Sequence, residues 1–141
     1  MKKSILSLNF MYGMERFATQ IYLVQKGRFK DSGIVELLTE AAKNEKTHVQ
    51  RLRAQIIKLN GKVYPWGWLF QSIGFATGYF TSIIGKHNLF KMDTFVENRA
   101  VRDYGGFVKS GAFDDDTANL IREIISDEER HVVNWKAAAK N

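Results

Sequence analysis

Two stretches of this sequence, NEKTH from Asn44 and DEERH from Asp127, place a glutamate three residues before a histidine: Glu45 with His48, and Glu128 with His131. On a helix that spacing puts both side chains on one face. The face is apolar both times. Ile34, Leu38, Ala41, Glu45, His48, Leu52 and Ile56 recur at steps of three and four, and so do Ile121, Ile124, Glu128, His131 and Trp135. With three histidines and eight glutamates in 141 residues, chance alone gives two such pairs in about one sequence per hundred of this composition. Ionisable groups on a core-facing stripe cost several kcal/mol each unless something compensates them. Any fold of this chain must therefore bring compensating groups to both pairs.

Two further acids share the anomaly. Glu15 lies on a stripe with Leu8, Met11, Ala18 and Tyr22, and Glu97 on one with Phe90, Ala100, Tyr104 and Val108. Glu15 precedes Glu45 by thirty residues and Glu97 precedes Glu128 by thirty-one; Glu15 and Glu97 are each followed seven residues later by a tyrosine. The chain thus reads as two equivalent helical hairpins. One Glu from each of two helices and a Glu-x-x-His from each of two others form the ligand set of di-iron and di-manganese carboxylate bundles. Carboxylates can bridge two metals about 3.5–4 Å apart and neutralise their charge, while one imidazole per metal suits iron. The expected metal ligands are Glu15, Glu45, His48, Glu97, Glu128 and His131. The alternative is buried salt bridges to Arg or Lys, but no basic residue recurs on these stripes. His87, in the turn IGKHN, is expected at the surface. Tyr22 and Tyr104 are candidates for hydrogen-bonding the ligands or for radical chemistry, with aromatic packing as the plainer role.

One proline, 45% hydrophobic and 26% charged residues describe one compact all-α domain over residues 1–141. Turn signals at KGRFKDSG, LNGKVYPWG, IGKHN and KSGAFDDD divide it into five helices. These are predicted over Ser4–Lys26, Ser32–Leu59 (stopped by Asn60 and Gly61), Trp66–Ile84 and Asn88–Lys109, with a fifth opening at the acidic run Asp114–Asp116. Without cysteine there are no disulfides or thiolate metal sites. The net charge of +6 is spread and interrupted by acids. It fits an anionic surface better than a nucleic-acid groove. The opening MKKSILSLNFMYGMERF has the look of a signal peptide, but Asn9 interrupts it and Glu15 and Arg16 close it, so it is expected to belong to the fold.

From Val63 to Gly85 there is no charged residue. Length alone would permit a membrane span, but Gln71, Ser72, Thr77, Thr81 and Ser82 make it a poor one. Gly74 and Gly78 suit close helix packing, and Trp66, Trp68, Phe70 and Phe75 suit an interface or a substrate channel. Two placements follow: a crossover helix covered by the bundle or by a homodimer, or a helix lying in a membrane surface.

In ERFATQIY from Glu15, NEKTHVQRL from Asn44, IGFATGYFTSIIGK followed by FVENRAVRDYG, and IREIISDEERH, the chain resembles the demethoxyubiquinone hydroxylases of ubiquinone biosynthesis over nearly its whole length. The resemblance implies a ferritin-like four-helix bundle of two hairpins joined by an apolar crossover helix. It also implies two iron ions per chain, with manganese as the other fit, held by the six residues named above. The reaction would hydroxylate a prenylated quinol with O2 at a membrane surface, on its bacterial cytoplasmic or mitochondrial matrix side. Two segments depart from the family pattern: NFMYGM, Asn9 to Met14, and Arg102 with Asp103 ahead of Tyr104. They are expected to set which ring is accepted. No Gly-x-Gly-x-x-Gly follows a strand, so a dedicated nicotinamide or flavin domain is not expected. Two other classes fit the same ligands: a rubrerythrin- or ferritin-type oxidase or peroxidase, and a non-catalytic membrane-surface protein whose metals only hold the bundle.

Overall fold

A computed structural model describes residues 2–140. Five helices and no strand occur among them: α1 (Lys2–Lys26), α2 (Ser32–Lys58), α3 (Gly67–Ile83), α4 (Lys86–Lys109) and α5 (Asp115–Lys140). The boundaries follow local chemistry. Asp31 caps α2 by accepting from the Ile34 amide at 3.0 Å, and Asp114 caps α5 by accepting from that of Thr117 at 2.7 Å. Asn60 ends α2 in a left-handed conformation (φ 55°), and the Gly61 amide returns to the Ile56 carbonyl at 2.8 Å.

Helix direction follows from which apolar residues cluster together. Leu8, Met11, Leu52, Ile56, Ala100, Tyr104, Ile121 and Ile124 form one core; Ala18, Ile21, Tyr22, Leu38, Leu89, Phe90 and Trp135 form a second. Along α1 and α5 the first core precedes the glutamate and the second follows it; along α2 and α4 the order is reversed. Thus α1 and α2 form one antiparallel hairpin, α4 and α5 the other, and α1 also contacts α4 as α2 contacts α5. The four core-facing acids lie at mid-length, between two apolar plugs. Fully burying each large side chain in those plugs contributes ~1.5–3 kcal/mol, which supports the cost of the polar layer between them.

The crossover helix α3 runs from the end of α2 to the start of α4 along the outside of α1. Gly74 and Gly78 allow this approach: a Cβ at Gly74 would strike the Phe17 carbonyl, and one at Gly78 would lie 2.9 Å from that of Ile21. The start of the crossover is tied down by Asn9, which donates to the Lys62 carbonyl at 3.0 Å and accepts from the Tyr64 amide at 2.7 Å. Further along, Arg16 donates to Gln71, and Gln25 bridges Thr81 (3.0 Å) and Asp93 (2.8 Å). The rest of the helix is open. Trp68, Ile73, Phe75, Tyr79, Phe80 and Ile83 are exposed, as is Trp66 just ahead of the helix, so the bundle leaves the outer face of α3 uncovered. No described helix is long and apolar enough to cross a membrane.

Candidate metal centre

Glu15, Glu45, His48, Glu97, Glu128 and His131 come from four different helices and converge in the buried middle layer. They form two overlapping groups. Glu15, Glu45, His48 and Glu128 offer ligand atoms within 4.8 Å of one another, as do Glu45, Glu97, Glu128 and His131. Glu45 and Glu128 belong to both, as bridging carboxylates would.

Each histidine turns Nδ1 inward. His48 Nδ1 lies 3.1 Å from Glu15 Oε2, 3.1 Å from Glu128 Oε1 and 3.4 Å from Glu45 Oε2. His131 Nδ1 lies 3.0 Å from Glu45 Oε1, 3.1 Å from Glu128 Oε2 and 3.5 Å from Glu97 Oε1. A single N–H cannot serve three carboxylates. Accordingly both oxygens of Glu45 and Oε1 of Glu128 lack a hydrogen-bond partner among the described residues, though imidazole nitrogens stand close to them. These orphaned oxygens belong to the two shared glutamates, and cations placed between the helices would satisfy them.

The electrostatics agree. Burial, and then the charges of Glu128 and Glu45, push the carboxyls of Glu15 and Glu97 well above the ordinary carboxylate range. Burial also opposes charging His131, but the facing carboxylates of Glu128, Glu45 and Glu97, which accept from the charged ring, outweigh it and push its imidazole up to about 12. His48 is raised in the same way, by Glu128, Glu15 and Glu45 against its burial. Burial pushes Glu45 up as well, yet the close polar groups of Glu15, His131 and His48 hold it below the usual range. Without metal, the only cations that the described residues bring to this layer are protonated imidazoles, and four acids compete for their protons.

The two tyrosines donate across the hairpins: Tyr22 of α1 to Glu97 of α4, and Tyr104 of α4 to Glu15 of α1. Burial, and then the accepting carboxylate, push both phenols well above the ordinary value, so they remain neutral donors. They also pack, Tyr22 against Trp135 and Tyr104 against Phe107. Packing alone therefore understates them.

Other expected positions divide. His87 is exposed, with Nδ1 on the Ala139 carbonyl at 2.8 Å. Phe70 turns inward against Phe10 and lines an apolar pocket of about 180 Å³ together with Asn9, Gly13, Tyr64 and Trp66. The divergent NFMYGM segment thus contributes directly to that pocket. Trp66, Trp68 and Phe75 face outward. Arg102 is exposed, and Asp103 is held by Arg99 at 2.7 Å, so this pair forms part of a surface ion cluster.

Two residues carry weight that sequence reasoning missed. Asp127 accepts from His48 Nε2 at 2.9 Å and is itself held by Arg130 at 2.6 Å and Asn44 at 3.3 Å. Asp93, one turn before Glu97, is buried against Gln25. The available signal was positional: Asp127 adjoins a ligand candidate, and Asp93 extends the stripe of Glu97.

None of the individually curated proteins compared with the sequence matches it. The sequence pattern that defines ubiquinone biosynthesis protein COQ7 does match, over residues 13–141, a span that begins just before Glu15 and takes in all six convergent side chains. The chain belongs to the COQ7 family of ubiquinone biosynthesis proteins.

Proposed function

We propose that residues 1–141 act as one di-iron monooxygenase domain that hydroxylates a lipophilic quinol such as demethoxyubiquinol with O2. The observation that carries this reading is the pair of overlapping four-residue groups sharing Glu45 and Glu128, in a chain of this family. Glu15 and His48 would hold one metal, Glu97 and His131 the other, and Glu45 and Glu128 would lie between them. The donor set, all oxygen and imidazole nitrogen, fits iron, and fits manganese as well.

When bound, the metals supply O2 activation; the side chains supply the rest. Tyr104 and Tyr22 fix the carboxylates of Glu15 and Glu97, and Asp127 fixes the ring of His48. The apolar plugs above and below close the layer to water along the bundle axis. The pocket beside Phe10, Trp66 and Phe70 suits a prenyl chain, and the exposed aromatic face of α3 would lie on the membrane from which such a substrate comes. One oxygen atom enters the ring and the other leaves as water, which consumes two electrons and two protons. The electrons come from a separate donor.

Elemental analysis should find two metals per chain. Glu45→Ala or Glu128→Ala should lower that number while helical content survives. In a single turnover with ¹⁸O2 and a short-tailed demethoxyquinol, the labelled atom should appear in the quinol product. Unlabelled product with rapid peroxide consumption would instead assign the centre to an oxidase or peroxidase of rubrerythrin or ferritin type. A metal-loaded protein inert to O2 would leave the metals a structural role.

A further inference from the structure

The two histidines of the centre are held differently on their outer sides. His48 Nε2 is closed off by Asp127. The hydrogen bonds and ion pairs of His131 all run through Nδ1, and its outer edge borders a polar pocket of about 140 Å³ between α2 and α5. Asn44 occupies the position on α2 equivalent to that of Asp127 on α5, each directly preceding the glutamate of its Glu-x-x-His. Asn44, however, leans toward Asp127, so the duplication is broken at this point.

Two of the residues that line this pocket carry a buried polar atom without a partner among the described residues. Trp135, fully buried, has an indole N–H with no acceptor, and Asn44 has a buried Oδ1 with no donor; both residues line the pocket with His131. A buried donor or acceptor left unpaired loses its hydration without compensation. Here the residues that carry the unmet donor and the unmet acceptor line one small cavity with His131, Glu40, Arg130 and Asn134. Asn134 and Leu37 also line a wider groove of about 440 Å³, so the two cavities adjoin at these residues. A polar cavity of this size with several unmet partners is the kind that holds ordered water.

We propose that this chamber is a hydrated port, occupied by water bonded to Trp135 Nε1 and Asn44 Oδ1, through which water and small hydrophilic solutes reach the His131 side of the centre. The port lies on the α2–α5 side of the bundle, whereas α3 and the apolar pocket lie on the α1 side. The molecule therefore separates an oily route for the substrate from a wet route for the protons consumed and the water released. That role rests on the proposed oxygenase chemistry; the hydration of the chamber does not.

The test uses the full-length chain and Asn134→Phe, which should stopper the chamber from its partly exposed rim, with Asn134→Ala as the variant that leaves it open. In a crystal structure, water should bond Trp135 Nε1. By NMR, the Trp135 indole proton should exchange with solvent far faster than the amides around Trp135 in α5; Asn134→Phe should slow it by about tenfold or more, and Asn134→Ala should not. A dry chamber, or an indole proton as protected as those amides, overturns the port. In the iron-loaded chain, azide should bind more slowly in Asn134→Phe by a similar factor at unchanged metal content. Equal azide rates, with the exchange effect present, would overturn the port as a route to the centre. A chain without metal would instead sink the oxygenase reading and leave the exchange result to decide hydration.

Discussion

The carboxyl of Asp93 accepts one hydrogen bond, from Gln25 Nε2, and its other oxygen, like Gln25 Oε1, has no partner among the described residues. Burial pushes its pKa from the ordinary 3.8 to about 8, although the Gln25 hydrogen bond works the other way. A protonated carboxyl can donate as well as accept, which would use the second oxygen. Because the folded state keeps this proton after the unfolded chain has released it, the site contributes full stability below pH 3.8 and loses it as pH rises to about 8. Asp93→Asn removes that dependence and supplies a permanent donor. Its stability relative to the parent should rise by ~1 kcal/mol per pH unit across this window and level off above it, as urea unfolding at several pH values would show. A constant difference would mean that Asp93 is charged throughout. At this scale the sequence was legible where a residue contradicted its own stripe: all six expected ligands converge because an acid or imidazole on an oily face has few explanations. Asp127 and Asp93 were missed because their meaning depends on the opposing helix: on His48 in α2 for one, on Gln25 in α1 for the other.

The helices were legible to within a few residues, because their stops are local: Asn60 and Gly61 behind α2, Asp114 ahead of α5. What periodicity could not disclose was how α3 divides its surface, since an uncharged run has no polar face to mark the outside. Its glycines decide the matter. Gly74→Val places a branched side chain against the Phe17 backbone and should cost about 1–3 kcal/mol, read by urea unfolding. Gly105→Ala, where a Cβ meets nothing within 4 Å, should instead stabilise by about 0.5–1 kcal/mol through helix propensity. Equal effects at both sites would mean that α3 does not dock through its glycines.

At the scale of the whole molecule, a basic protein of net charge +6 carries one contiguous helix whose outer face is aromatic and aliphatic. Such a patch needs a cover. The expected result is flotation with anionic liposomes at low salt, reversed by salt and weakened by Trp66→Ser together with Trp68→Ser; protein that stays in the soluble fraction would give the patch to a second copy of the chain. The paired tyrosine bonds described above also bear on how the molecule assembles in time. Tyr22 and Glu97 are 75 residues apart, Tyr104 and Glu15 are 89, whereas each hairpin is built from near neighbours. Local contacts form quickly and distant ones wait on chain closure. Each hairpin can therefore zip up early and still hold only half of the centre, with its lone acid lacking the phenol that steadies it. Metal uptake should lag behind the recovery of helical signal during refolding, and a chain whose two halves dock out of register would be helical, compact and empty.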